Sequence, residues 1–473
     1  MTDPVFNIDR FRSEGHLLID YIAEYLKRCE QKEIDVLSPI EADDSFKYWN
    51  DELYSPGLST LALFDQMIRK STHLHHPGYI GHQVSVAQPL SILSDVVAGL
   101  LDNGMAVYEM GQVSVAMEKA VCSYLSKFIG WDENRSNGFF TSGGTLANLT
   151  ALLTARQHFS NGKYWNHGHE NIHYAVMVSG EAHYCIDRAV KIMGLGKQGI
   201  ITVPVNGHHQ IDIQTIEQSY REAIEDGKQV FAFVANLGST SVGAYDSIAP
   251  IAAFCKRNNI WLHGDGAHGG LVFLSEKYKH LVQAIDQVDS LTLDFHKLLQ
   301  TSILCTCLLY KDEKHSYKTF SQGAEYLFAK QDEEWYQLGK RTFECTKPMM
   351  VLKAYTLIHQ LGIQRLVHDI DLRYDLAKEF AILIQDDPLF ELAVTPESNI
   401  VCFRLRPDHL SLEECNQLNS SIRWKLIESG KYYIVQTVIQ DTVFLRTALM
   451  NPATTIDLLT TLLKDIRLLY EST

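Results

Sequence analysis

An alternation between residues 171 and 310 most constrains how this chain folds: short apolar runs rich in β-branched or aromatic side chains are separated by segments of helical periodicity. The runs are Tyr174–Val178, Phe231–Ala235, Ile260–Leu262 and Ser290–Leu293, and Ile213–Glu225 reads as one intervening helix. A strand apolar at consecutive residues presents apolar groups to both faces of its sheet, so both faces need cover, and the helices between the strands supply it. The pattern predicts an α/β fold with a mainly parallel sheet, in which ligands collect beyond the carboxyl ends of the strands.

At 473 residues the chain exceeds a single ordinary core, which stops growing at roughly 250 to 300 residues. Residues 1–75 read as an N-terminal helical arm, with Phe11, Leu18, Ile22, Tyr25 and Leu26 at helical spacing and a second helical stretch near Leu58–Lys70. Residues 76–350 form the large domain. They include a polar, aromatic and weakly periodic segment, 311–347, that reads as a surface loop or lid. Residues 351–473 form a smaller α/β domain, with a helix at Leu352–Leu361, strands at Val401–Leu405 and Val443–Arg446, and a final helix near Ile456–Tyr470.

Composition narrows the partners. Lys plus Arg number 42 against 57 Asp plus Glu, a net charge of −15, which disfavours a nucleic-acid or anionic-membrane binder and favours a small-molecule substrate. The nine cysteines are odd in number and lie mostly in apolar runs, as reduced thiols of a cytoplasmic protein do. The N-terminal residues show no basic stretch followed by an apolar one, and no apolar stretch reaches the roughly 20 residues of a membrane helix.

Three motifs carry chemistry. Thr141-Ser142-Gly143-Gly144-Thr145 opens a helix with small residues, so backbone N–H groups and the positive helix end point at one spot, as in a phosphate cradle. It lacks the Lys of a P-loop, and by itself it is also an ordinary helix start. Asp265 ends an apolar strand and is followed by Gly266-Ala267, either a helix N-cap or a carboxylate aimed at a protonated ring nitrogen. His296-Lys297 ends another, where a desolvated amine suits imine formation.

In this order the motifs resemble the group II pyridoxal phosphate-dependent amino-acid decarboxylases, which include glutamate, aromatic amino acid, histidine and diaminobutyrate decarboxylases. The resemblance runs from His76 to the final helix and implies a fold-type I α/β enzyme with a seven-stranded-type, mainly parallel sheet, working as a homodimer with active sites at the subunit interface. It implies that Lys297 forms the imine with pyridoxal 5′-phosphate and that Asp265 holds the ring nitrogen protonated, which makes the ring an electron sink. It further implies that Gly144 and Thr145 bind phosphate with His296 beside them, that His183 in Ser179-Gly180-Glu181-Ala182-His183 stacks on one ring face with Ala267 at the other, and that Thr240 meets the ring hydroxyl.

Two further segments match the family's substrate contacts. Arg446 in Val443-Phe444-Leu445-Arg446-Thr447 takes the place of the Arg that binds the substrate α-carboxylate, a task suited to a guanidinium fork. His76-Pro77-Gly78-Tyr79-Ile80-Gly81-His82 resembles the substrate entrance, with Tyr79 and His82 toward substrate; His82 replaces a Gln of animal glutamate decarboxylases. The histidines at 73, 75, 76 and 82 have no carboxylate or Cys spacing to support a metal, and none is expected. Tyr336 aligns with the loop Tyr that protonates Cα, and Tyr326 is the alternative register. Asp294 departs from the Asn of many relatives. The implied reaction is decarboxylation of an L-amino acid to its amine through an external aldimine and a quinonoid, with an aldehyde synthase or a non-decarboxylating enzyme of the same fold as the alternative and a non-catalytic scaffold as the third reading.

Overall fold

The computed structural model describes residues 7–55, 57–168, 171–320 and 335–472. It divides into two compact units, residues 83–378 with 394–400, and residues 1–82 with 379–393 and 401–473.

The larger unit is built on a seven-stranded sheet: β1 (Asn137–Thr141), β2 (His173–Ser179), β3 (Ile200–Val203), β4 (Lys228–Asn236), β5 (Trp261–Asp265), β6 (Ser290–Asp294) and β7 (Thr306–Tyr310), in the order β1-β7-β6-β5-β4-β2-β3. Neighbours among β6, β5, β4, β2 and β3 pair in parallel, while β7 runs antiparallel to both β6 and β1. One strand is therefore reversed, and the carboxyl ends of the other six share an edge. Every residue of β1, β5, β6 and β7 is buried. Because successive side chains face opposite sides, both faces are covered. The helix Gly144–Phe159 packs on β4, β5, β6 and β7, and Ile216–Glu225 and Ile248–Asn258 pack on β4.

The smaller unit carries a sheet of β8 (Phe390–Leu392), β9 (Ile400–Leu405), β10 (Val435–Ile439) and β11 (Thr442–Ala448), in the order β10-β11-β9-β8. Its helices are Ile8–Glu30, Ala42–Tyr54, Thr60–Arg69, Leu412–Glu428 and Ile456–Glu471. Division into 1–75, 76–350 and 351–473 does not match these units. Residues 78–80 belong with the C-terminal strands because they are bonded to them: the Tyr433 amide donates to Gly78, the Ile80 amide to Tyr433 and the Ala448 amide to Ile80, at 2.9, 3.1 and 2.7 Å. At the other boundary, the helix Val351–Leu361 and the following chain to Lys378 stay with the larger unit. Among the described residues no helix is long and apolar enough to cross a membrane, and all nine cysteines are free.

Candidate active site

Beyond the shared carboxyl edge of the large sheet lies a cavity of about 270 Å³. Five strand ends supply it: Gly144 and Thr145 follow β1, His183 follows β2, Thr240 follows β4, Asp265 and Ala267 stand at the end of β5, and His296 and Lys297 follow β6. Side chains separated by more than 150 residues of sequence meet here because six strands point the same way.

The turn after β1 is shaped for close backbone approach. Gly143 has φ +98°, and a Cβ on Gly144 would stand 3.1 and 3.2 Å from the Asp294 carboxylate oxygens and 3.3 Å from the Ala267 Cβ. The Leu146 and Ala147 amides bond the Gly143 carbonyl, both at 3.1 Å, while the Gly144 and Thr145 amides come before the first intrahelical bond and face the start of the helix. His183 is the N-cap of Tyr184–Ile192, its Nδ1 accepting from the Cys185 amide at 3.3 Å, so capping and cavity lining coincide in one ring. Burial lowers the proton affinity of His183 below its ordinary value, against the opposing pull of Asp265.

Asp265 is buried. Its Oδ2 accepts from Asn148 Nδ2 at 2.8 Å and its Oδ1 from the Ala267 amide at 3.2 Å. Burial raises its proton affinity, and the charge of Lys297 works in the opposite direction. Lys297 Nζ lies 3.1 Å from Asp294 Oδ2, and His296 Nε2 lies 3.5 Å from the same oxygen. Asp294 Oδ1 accepts from Thr306 Oγ1 at 2.6 Å. His296 Nδ1 sits 3.1 Å from the Cys305 carbonyl, and burial depresses its proton affinity.

The three residues assigned to substrate lie in the smaller unit. Arg446, buried on β11 opposite Val435, donates from Nη1 to the Gly81 carbonyl at 3.2 Å. Tyr79 stacks on Tyr433 with centroids 5.1 Å apart, and His82 lies 5.6 Å from the same ring. Tyr336 does not line the cavity. Its ring packs against Tyr108 and Trp335, at 5.4 and 5.6 Å, beside a corner where the Gly339 amide bonds the Ala106 carbonyl at 2.9 Å. Tyr326 lies outside the described residues. Among the described residues, no three His, Cys, Asp or Glu side chains form a metal-holding group.

Residues 64–406 match the model of the pyridoxal-dependent decarboxylase conserved domain, most of the chain. The chain belongs to the pyridoxal-dependent decarboxylases. Such an enzyme uses pyridoxal phosphate to remove the carboxylate of an amino acid. This decarboxylase is 29% identical over 419 residues to the L-2,4-diaminobutyrate decarboxylase of Acinetobacter baumannii, covering 85% of this chain and 82% of that one. It is 26% identical over 473 residues to the aromatic-L-amino-acid decarboxylase of Bacillus atrophaeus, covering 98% and 96%. The apo crystal structure of mouse CSAD superposes with a TM-score of 0.88 at 25% identity, over 97% of this chain and 98% of that chain.

The cavity of this decarboxylase fits its cofactor. A Cβ on Gly144 would crowd Asp294 and Ala267, so the glycine lets the backbone of the turn come close to the cavity. Asp265 is a buried carboxylate held by two neutral donors, a setting suited to a cationic ring N–H. Lys297 supplies the amine at the same cavity. Two residues of this environment were not singled out from the sequence, Asn148 and His263. Their spacing carries the signal: Asn148 is four residues beyond Gly144 on one helix, hence one turn on, and His263 is two before Asp265 on one strand, hence on the same face.

Proposed function

We propose that this decarboxylase converts an L-amino acid to its amine and carbon dioxide in the cytoplasm, as a homodimer. The observation that carries the reading is the meeting of Lys297, Asp265, His183 and the Gly144–Thr145 turn in one cavity from four different strand ends. When bound, pyridoxal phosphate supplies an electron sink for the pair left on Cα. Lys297 would anchor the cofactor through its amine, Gly144, Thr145 and His296 would hold its phosphate, and Thr240 would meet its ring hydroxyl. Asp265 keeps the ring nitrogen protonated, and His183 and Ala267 confine the ring. Arg446 binds the substrate α-carboxylate and orients it for departure, with Tyr79 and His82 contacting the rest of the substrate. The proton that Cα receives comes from the loop tyrosine, Tyr336 or, in the alternative register, Tyr326.

Support for the second copy comes from the helix Pro89–Leu101. Only Ser91 and Ser94 of this helix are buried, while Leu93, Val96, Val97, Leu100 and Leu101 are exposed. An apolar face of this kind marks an association surface.

The test is carbon dioxide and amine release by the purified yellow enzyme from diaminobutyrate, aspartate, glutamate, cysteine sulfinate, ornithine, lysine, histidine, tyrosine and tryptophan. At least one is decarboxylated, and Lys297→Ala is colourless and inactive. A Lys297→Ala variant that still forms amine overturns the reading.

A further inference from the structure

Asp265 stands at the end of a buried hydrogen-bond chain whose every member is identified. Trp261 Nε1 donates to Ser290 Oγ at 2.9 Å. Ser290 Oγ lies 2.8 Å from His263 Nδ1, and His263 Nε2 lies 3.0 Å from Asn148 Oδ1. Asn148 Nδ2 then donates to Asp265 Oδ2 at 2.8 Å. Trp261, Ser290, His263, Asn148 and Asp265 are all buried.

A charged Asp265 fixes one order of protons along this chain. The carboxylate accepts, so Asn148 turns its NH₂ toward Asp265 and its Oδ1 toward His263. His263 Nε2 then carries the proton, and Nδ1 of the neutral ring accepts from Ser290 Oγ, which has lone pairs left for the Trp261 N–H. Burial agrees with a neutral ring, pushing the proton affinity of His263 down to about 3. Thr292 Oγ1, at 3.5 Å from Nε2, is at the outer limit of a bond and leaves this order unchanged. All four bonds run in one direction and end on the carboxylate, an arrangement in which each bond polarises the next.

We propose that His263 and Asn148 are positioning residues that hold Asp265 as a charged acceptor toward the cofactor ring nitrogen, through a one-way chain that begins at Trp261. This rests on Asp265 being the partner of that nitrogen. The chain explains why an amide and a histidine lie buried behind a carboxylate: they supply aligned donor strength without a second charge.

The experiment reconstitutes the enzyme with pyridoxal phosphate labelled with ¹⁵N in the ring and reads two quantities, the ring-nitrogen resonance and the cofactor dissociation constant. Asn148→Leu and His263→Leu move the resonance toward the unprotonated position and raise the dissociation constant roughly tenfold to a hundredfold, the loss expected for a buried hydrogen bond to a charged group. His263→Gln, whose amide N–H replaces the Nε2 donor, restores both toward the parent. Ser290→Ala is a milder break. It removes the donor to His263 Nδ1 and so weakens the chain, shifting the resonance in the same direction even if the leucine variants fail to fold. Asp265→Asn separates the two claims. If it moves the resonance while Asn148→Leu, His263→Leu and Ser290→Ala leave it at the parent position, the chain is overturned. If Asp265→Asn leaves the resonance unmoved, the assignment of Asp265 falls instead.

Discussion

The amine of Lys297 lies 3.1 Å from Oδ2 of Asp294, a buried carboxylate that is also held by the Thr306 hydroxyl at 2.6 Å. Asp294 is thus fixed on one oxygen and meets the reactive amine with the other. Asp294→Ala removes a charge-assisted bond worth about 1.5 to 3 kcal/mol, so kcat/KM falls at least tenfold with the fold intact. Asp294→Asn, which keeps the shape, falls less. Steady-state kinetics of the reconstituted variants checks the order, and an alanine variant with parent activity contradicts it.

Lys347 and Glu118 form an ion pair at 2.8 Å, each side chain only 1% exposed. The Phe140 amide of β1 donates to the same Glu118 oxygen at 3.1 Å, and Lys347 Nζ donates to the Phe140 carbonyl. The pair therefore joins the end of segment 311–347 to β1, the strand that leads into the Gly143–Gly144 turn. Removing one partner strands a buried charge: Lys347→Met destabilises the protein by roughly 3 to 5 kcal/mol. The double variant Glu118→Leu with Lys347→Leu recovers most of this loss, as measured by denaturant unfolding. A Lys347→Met variant as stable as the parent contradicts the account.

Tyr336→Phe tests the outcome of the reaction. Without the phenolic proton, protonation of Cα slows and oxygen competes for the electron-rich carbon. Amine formation drops at least tenfold, within the range of a lost general acid, while peroxide and aldehyde appear. Oxygen uptake during turnover measures the switch. Full amine yield from the variant moves the role to another residue.

Stability depends on pH through titratable groups that folding desolvates. Burial pushes His263 down to about 3 and His76 and His315 to about 4. Below the ordinary histidine value of about 6.5, the unfolded chain takes up protons that the native one refuses, so stability falls as pH drops from there toward 4. Asp246 acts in the opposite sense. Burial raises it to about 7, so between the ordinary carboxylate value and 7 the native chain holds the extra proton, and stability falls as pH rises through that window. Burial also lowers His73, His82, His183 and His296 and raises Glu118, Asp265 and Asp289, so among the described residues seven histidines oppose four carboxyls. The thermal midpoint at about pH 5 is therefore several degrees below that at about pH 7.5, and an equal or higher midpoint at the acid pH contradicts this balance.

The strands β2 and β4 are legible in the sequence as consecutive apolar runs, β5 by Ile260-Trp261-Leu262 leading into it, and β6 by Leu291 and Leu293 alternating with small hydroxyl residues. β1 is not: its Gly138 interrupts the run, and only the partner strand explains it, since a Cβ there would come 2.0 Å from the Leu308 carbonyl oxygen on β7. β3 has four residues, and β10 alternates buried with more accessible positions, so neither stands out from its surroundings. The residues that line the cavity are legible for a different reason. Each sits within a few residues of a strand end, where small or polar residues interrupt an apolar pattern.

What the sequence alone determined was local: apolar periodicity chose the elements, and the residues at their ends marked the chemistry, because both depend on neighbours along the chain. The tertiary structure decided which side chains meet. Nothing in spacing joins Glu118 to Lys347, 229 residues apart, or Asn148 to Asp265, 117 apart. Those pairings exist because a sheet with a single reversed strand and its packed helices bring distant segments within hydrogen-bond reach, where a buried polar group must find a partner.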